Sequence, residues 1–230
     1  MTRRLFVISY RWIIAGLGVA AIITQLVHTV GLKPPGSVAN FFSFFTIEAN
    51  IIAVVVFVIG AIPGREPDSR WYDLARGAAA TYMSVTGVVY AVLLSDLPVA
   101  ADSTIPWVNE VLHYLMPLVV FLDWLFVPPK RVIRFRESLT WAAFPLVYAI
   151  YSLIRGAATN WYPYPFLNVD MHGLGRVLVN CIGIGIGTFL FVAAIGWLGN
   201  AMHNGRSVRP SATTGAASSD TASSEPAKRG

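Results

Sequence analysis

Six apolar stretches, each long enough to cross a lipid bilayer, constrain this chain more than any other feature of its sequence. They run roughly over 6–30, 38–61, 73–96, 105–127, 138–157 and 173–201. A helix rises about 1.5 Å per residue, so about 20 apolar residues span the hydrocarbon core. Pro34-Pro35, Pro63-Gly64, Pro98, Pro128-Pro129 and Pro163/Pro165 fall between the stretches, where helix breakers belong. Hydrocarbon offers backbone N–H and C=O groups no partner, so such segments must be helices packed as a bundle. The expected fold is all-α, a polytopic membrane protein of six transmembrane helices over residues 1–203. Composition agrees: 13% of the 230 residues are charged and the mean hydropathy is +0.60, where soluble domains carry about 25% charged residues. The first stretch exceeds a signal-peptide core and lacks a clear small-residue cleavage site, so it reads as a retained span. Residues 204–230 are rich in Ser, Thr, Ala and Gly, with Val208 the one sizeable aliphatic residue. That composition buries too little to offset ordering entropy and predicts a disordered tail.

Lys and Arg set the expected direction of insertion. Arg3, Arg4, Arg65, Arg70, Lys130, Arg131, Arg134, Arg136, Arg206, Arg209, Lys228 and Arg229 all fall on one side of the six-span arrangement, and Lys33 alone falls on the other. Both termini are therefore expected in the cytoplasm, with the chain in the plasma membrane. The net charge of +5 is no nucleic-acid footprint, because the basic residues lie between apolar blocks. The single cysteine, Cys181, excludes an internal disulfide and a Cys-based zinc site. The histidines form no metal-ligand pattern, and neither a metal nor an organic cofactor is expected. Gly183 and Gly187 make a GxxxG step that reads as internal helix packing.

Ionisable groups at membrane depth are costly and mark function by default. Arg11 and Arg76 lie within about two turns of cytoplasmic ends and are expected to snorkel, as are Arg155 and Arg176 near the outer interface. Asp123 lies about one turn from the cytoplasmic end of its stretch, near Lys130 and Arg131, and reads as a structural partner of that region. Glu48, Glu110 and His113 are harder to dismiss. The second stretch runs inward from about Val38 and the fourth from about Ile105. Thr46 and His113 each lie eight residues in, about 12 Å below the outer surface. A hydroxyl beside an imidazole is the arrangement nucleophilic catalysis requires. Helical spacing puts Ser43 and Asn50 on the face of Thr46, and Asn109 and Glu110 near His113. Glu48 is about 200° away from Thr46 around its helix and is expected to pair elsewhere. Thr46 has a plain alternative role, bonding the carbonyl four residues back. The loop NWYPYPFLNVDMH (160–172) reads either as an interfacial aromatic belt or as a lid over an outward cavity.

The segments FFSFFTIEANII (41–52), HYLMPLVVFLDWLFVPP (113–129) and FPLVYAIYSLIRGAATNWYPYPFLNV (144–169) resemble a bacterial family of six-span membrane proteins. That family is distantly similar to the animal androgen-induced and androgen-dependent TFPI-regulating membrane proteins, which are intramembrane threonine hydrolases of fatty acid esters of hydroxy fatty acids. The resemblance implies that Thr46 is the nucleophile and His113 its base. It also marks a departure: Glu48 stands where the bacterial pattern often has an amide, and it could raise local polarity or pair with Arg155.

Together these readings predict a threonine-dependent lipid ester hydrolase acting on a fatty acyl ester drawn from the bilayer. Asn50 or Asn109 would supply an oxyanion donor, with Ser43, Glu110, Glu48 and Arg155 as supporting or substrate-binding groups. The alternative is a small proton-coupled transporter relaying through Glu48, Glu110, His113 and Asp123. Reporter fusions test the topology: those at residue 66 and at the C-terminus should read cytoplasmic, and those at residues 101 and 168 external. An external C-terminus would overturn the orientation.

Overall fold

A computed structural model of the chain describes residues 3–32, 36–63, 69–96 and 104–207, and among these every regular element is helical. Helix α1 is Arg3–Gly31, α2 is Val38–Phe41 and α3 is Phe45–Ala61. Helix α4, Arg70–Val89, continues into a π turn over Tyr90–Leu94. Helix α5, Pro106–Glu110, passes through a second π turn, Val111–Leu115, into α6, Met116–Phe126. Helix α7, Phe135–Ser138, leads through a 3₁₀ turn into α8, Ala143–Thr159, and α9 is Val169–Ser207.

Among the described residues five helices are long and apolar enough to cross a membrane: Arg3–Gly31, Arg70–Leu94, Pro106–Phe126, Phe135–Thr159 and Val169–Gly205. The chain is thus an all-α, membrane-embedded protein. The expected span 38–61 differs from the other five. It is broken at Phe42–Phe44, which leaves α3 with 17 residues. The last helix also runs beyond the expected boundary at 203, and residues 208–230, read above as a disordered tail, lie outside the described residues.

Small residues bring the inner helices together. Ala15 and Ala21 of α1, Ala49 and Ala53 of α3, and Ala79 and Ala80 of α4 are all buried, and side chains of that size let backbones approach closely. Helix α1 packs on α3, α4 packs on α3, α6 and α9, and α8 makes sparse contact with α9. The outward faces of α1, α8 and α9 expose Ile13, Ile23, Ile150, Ile154, Ile182 and Leu190, as lipid-facing surfaces do. Gly183, Gly185 and Gly187 would meet no atom within 4 Å if each gained a Cβ. The GxxxG step therefore packs against no neighbouring helix, contrary to expectation.

The polar core is an ion cluster near one end of the bundle. Asp123 accepts hydrogen bonds from Arg11 through Nε at 2.8 Å and Nη2 at 3.1 Å, and from Arg76 through Nη2 at 2.6 Å and Nε at 3.2 Å. The Tyr10 hydroxyl donates to the same carboxylate. Arg11, Arg76 and Asp123 are 4%, 5% and 5% exposed. The snorkelling expected of Arg11 and Arg76 therefore does not occur, and the partners of Asp123 are these two arginines rather than Lys130 and Arg131. A buried carboxylate takes the nearest geometrically matched donors, and those arrive on other helices. Gly60 permits the arrangement, since a Cβ there would collide with the Tyr72 hydroxyl and the Arg11 guanidinium.

The two termini of the described chain meet at this same end. Arg3 Nη2 donates to the Phe126 carbonyl at 2.7 Å, and His203 Nδ1 lies 3.0 Å from the Pro129 carbonyl. The start of α1 and the end of α9 thus flank one loop. Removing the shared carboxylate would strand two buried cations, a change that costs about 3–5 kcal/mol in comparable buried ion pairs. Asp123→Ala should therefore lower the melting temperature of the purified protein strongly, while Glu110→Ala, at an exposed position, should leave it near that of the parent. Equal melting of the parent and Asp123→Ala would show the cluster to be dispensable.

Candidate functional site

The break in the second stretch creates the site. Phe44 adopts an extended backbone with φ −81° and ψ 127°, so α3 restarts at Phe45 and the amides of Phe45 and Thr46 have no helical carbonyl to bond. Two tyrosine hydroxyls accept them instead: Tyr148 from the Phe45 N–H and Tyr164 from the Thr46 N–H, each at 3.2 Å. Tyr148 in turn donates to the Ser43 carbonyl at 2.9 Å. Thr46 therefore sits at the start of a helix rather than in the middle of a continuous one, and depth arithmetic through residues 38–46 crosses the break.

The threonine hydroxyl has two neighbours. Its Oγ1 lies 3.3 Å from His113 Nε2 and 3.3 Å from the Tyr164 hydroxyl. Elsewhere in the bundle Thr81, Ser84, Thr86 and Thr188 each donate to the carbonyl four residues back. Thr46 does not, because the chain before it is not helical.

The imidazole is oriented from behind. His113 Nδ1 lies 3.2 Å from the Asn109 carbonyl. A carbonyl only accepts, so Nδ1 carries the proton and Nε2 turns its lone pair toward Thr46. Tyr90 stacks on the ring with centroids 4.0 Å apart, and its hydroxyl accepts from Asn109 Nδ2 at 2.6 Å. Tyr90 and His113 both belong to π turns. The turn at Val111–Leu115 has a local cause in Pro117, which lacks an N–H and crowds the carbonyl four residues back, that of His113. The helix widens there, and the Leu112 carbonyl accepts from Asn50 Nδ2 at 3.2 Å. The other N–H of Asn50 bonds the Thr46 carbonyl at 2.8 Å. Asn50 thereby ties the helix carrying Thr46 to the turn carrying His113.

The remaining sequence candidates are placed differently. Asn50 and Asn109 direct their amide N–H groups at Thr46 O and Leu112 O, and at Tyr90, so neither aims an N–H at the Thr46 hydroxyl. Ser43 lies in the break, where its hydroxyl donates to the Ala39 carbonyl at 2.7 Å and meets the Tyr151 hydroxyl at 3.0 Å. Glu110 is exposed and Glu48 half-buried. Arg155 is not the partner of Glu48: its Nη2 donates to Asn40 Oδ1 at 2.7 Å, and its guanidinium lies over Trp161. Asp123 is enclosed by its arginines, so Glu48, Glu110, His113 and Asp123 share no hydrogen-bonded network among the described residues. In those residues no three His, Cys, Asp or Glu side chains gather as a metal site.

Tyr164 is the site residue that the sequence reading missed, having been assigned to an aromatic belt or lid. It is 9% exposed, stacked on Phe166 and edge-on to Phe44. Burial pushes its phenol up from the ordinary value, which keeps the O–H protonated as a donor. Its signal was its position between Pro163 and Pro165, which stiffen the loop that delivers it.

A cavity of about 640 Å³ opens from the site, lined by Thr46, Tyr148, Tyr164 and apolar side chains of α4, α8 and α9. His113 is not among its lining residues, so the hydroxyl separates the imidazole from the cavity. Leu146 and Ile182 line the cavity yet are 63% and 62% exposed. The cavity therefore opens sideways between α8 and α9, through the outward surface of the bundle.

Comparisons of the chain with protein-family models, curated proteins and solved structures give no match.

Nitrogen NMR of the imidazole tests the tautomer. His113 should show a protonated Nδ1 and a bare Nε2, and Thr46→Val should shift the Nε2 resonance while leaving Nδ1 nearly unchanged. A protonated Nε2 in the parent protein would remove the base from the site.

Proposed function

We propose that the chain is an intramembrane threonine-dependent hydrolase of fatty acyl esters, with Thr46 as nucleophile and His113 as general base. The observation that carries this reading is the hydroxyl of Thr46, released from its own backbone and set between an imidazole lone pair and a phenol donor at the end of an apolar cavity. His113 Nε2 takes the hydroxyl proton as Oγ1 attacks the ester carbonyl carbon. The carbonyl oxygen becomes an oxyanion facing the Tyr164 O–H, a donor of the kind worth about 3–4 kcal/mol in such sites. The tetrahedral intermediate collapses, and the departing alkoxide takes the proton from His113. A water then gives its proton to Nε2 and attacks the acyl-threonine, and collapse releases the acid and restores the hydroxyl.

The sideways opening suits a substrate dissolved in the bilayer, and the apolar walls suit its chain. Arg155 Nη1 is buried without a hydrogen-bond partner; Arg155 is not in the cavity lining, so it would meet a free carboxylate of the substrate, which the resemblance to hydrolases of hydroxy fatty acid esters implies, only if the substrate extends beyond the cavity. In this reading α2 and α3 together make the sixth, broken span, and the Lys/Arg asymmetry sets both termini in the cytoplasm of a plasma-membrane protein.

The test is hydrolysis of a long-chain fatty acid ester of a hydroxy fatty acid by the purified protein, together with labelling by a serine/threonine-directed probe. Thr46→Ala should abolish both. His113→Ala should reduce turnover by about 10²–10⁴-fold, and the double variant should be little worse than either single one. Thr46→Ser should retain part of the activity. Full hydrolysis by folded Thr46→Ala protein would eliminate the mechanism.

A further inference from the structure

A second cavity, of about 340 Å³, lies at the end of the bundle where the start of α1 and the end of α9 meet. It is lined by Arg3, Arg4, Arg11, Arg76 and Lys130, with Tyr72, Gly60 and Asp73 among the remaining wall residues. It differs in kind from the cavity at Thr46, which is almost wholly apolar.

Five cationic side chains face this space. Asp73 lies in its wall, and Asp123 lies beneath it, bound to Arg11 and Arg76. Among the described residues the lining thus carries more cationic than acidic side chains. Asp73 is turned toward the neighbouring loop, where its Oδ2 accepts the Lys130 backbone N–H at 3.1 Å. The floor is rigid, because Arg11 and Arg76 are buried and fixed by Asp123, while Arg3, Arg4 and Lys130 are exposed at the rim. Guanidinium groups match the oxygens of a phosphate better than any other side chain. The Arg11 nitrogens already donate to Asp123, Gly60 and Tyr72, so the floor supplies fixed positive charge and the exposed Arg3 and Arg4 supply the donors.

We infer that this pocket binds a phosphate ester, and that the group is carried by the headgroup of an anionic membrane lipid. Basic pockets between transmembrane helices near a membrane surface take such headgroups. Exposed Leu5 and Phe6 follow directly on Arg3 and Arg4, and half-exposed Ile62 lines the pocket itself. A headgroup seated among the arginines would therefore have apolar surface beside it for its chains, which a free phosphate would leave unused. The site is independent of the chemistry proposed at Thr46.

The experiment measures binding of phosphatidylglycerol and phosphatidylcholine with matched chains to the full-length protein in neutral detergent, by native mass spectrometry and by thermal shift. Phosphatidylglycerol should bind more tightly and raise the melting temperature more. The paired variant Arg3→Gln/Arg4→Gln should weaken phosphatidylglycerol about tenfold or more, given about 1 kcal/mol per basic residue at a membrane surface. Arg134→Gln/Arg136→Gln removes equal charge from side chains outside the pocket and should leave binding nearly intact. Lys130→Gln, from the same rim, gives a second measurement should the α1 pair misfold. Competition by glycerol phosphate at concentrations comparable to the lipid would support the phosphate site and assign it to a soluble ester. Equal binding of the two lipids, or equal weakening by the two arginine pairs, would overturn the proposal.

Discussion

One carboxylate organises the bundle. Asp123 receives Arg11 from α1, Arg76 from α4 and the hydroxyl of Tyr10, and the three charged side chains are buried. Each arginine alone would be costly to bury, and so would the aspartate. Only a geometry that brings α1, α4 and α6 to a common depth and rotation satisfies all three. The apolar faces around them are permissive, since alanines slide past one another with little penalty. The ion cluster fixes the register that those faces leave open, and the part of the bundle where Thr46 and His113 meet inherits that register.

The spans were legible in the sequence because lipid imposes a length and because prolines and charges mark the turns. The ion cluster was not legible, since three charges 47 to 112 residues apart each look like an interfacial residue when read along their own helix. The contact between Thr46 and His113 was anticipated from their matched distance to the outer surface, although the reasoning assumed an unbroken helix. The break at Phe42–Phe44 contains no proline or glycine to announce it. It is held by the tyrosine hydroxyls of α8 and of the following loop, which accept the amides the break exposes. Partners so distant in sequence leave no local trace. Pro117 was a visible signal left unread, because a proline inside an apolar stretch demands a rearranged turn.

The two cavities divide the molecule by chemistry. The larger one is almost wholly apolar, opens sideways and has Thr46 in its wall. The smaller one is cationic and lies at the end of the bundle beside the start of α1. Both are bounded by α4: Thr86 and Val89 line the first, and Tyr72, Asp73 and Arg76 the second. That helix is half buried over its apolar window, far more than α8 or α9. Among the five long helices, the least buried are those bordering the sideways opening, and the most buried one joins the two sites.

A π turn holds one more residue than the α-helical turn it replaces. The turns at Tyr90–Leu94 and Val111–Leu115 can therefore each be read as a one-codon insertion into an ordinary helix. Each insertion rotates everything that follows by about 100°, yet the ion cluster is undisturbed: Arg76 precedes the first turn, and Asp123 lies in the regular helix that follows the second. A history of this kind would leave its mark in the lengths of related chains. Relatives that lack the stacked Tyr90–His113 pair would be one residue shorter in each of these two spans, with no gap anywhere in the loops.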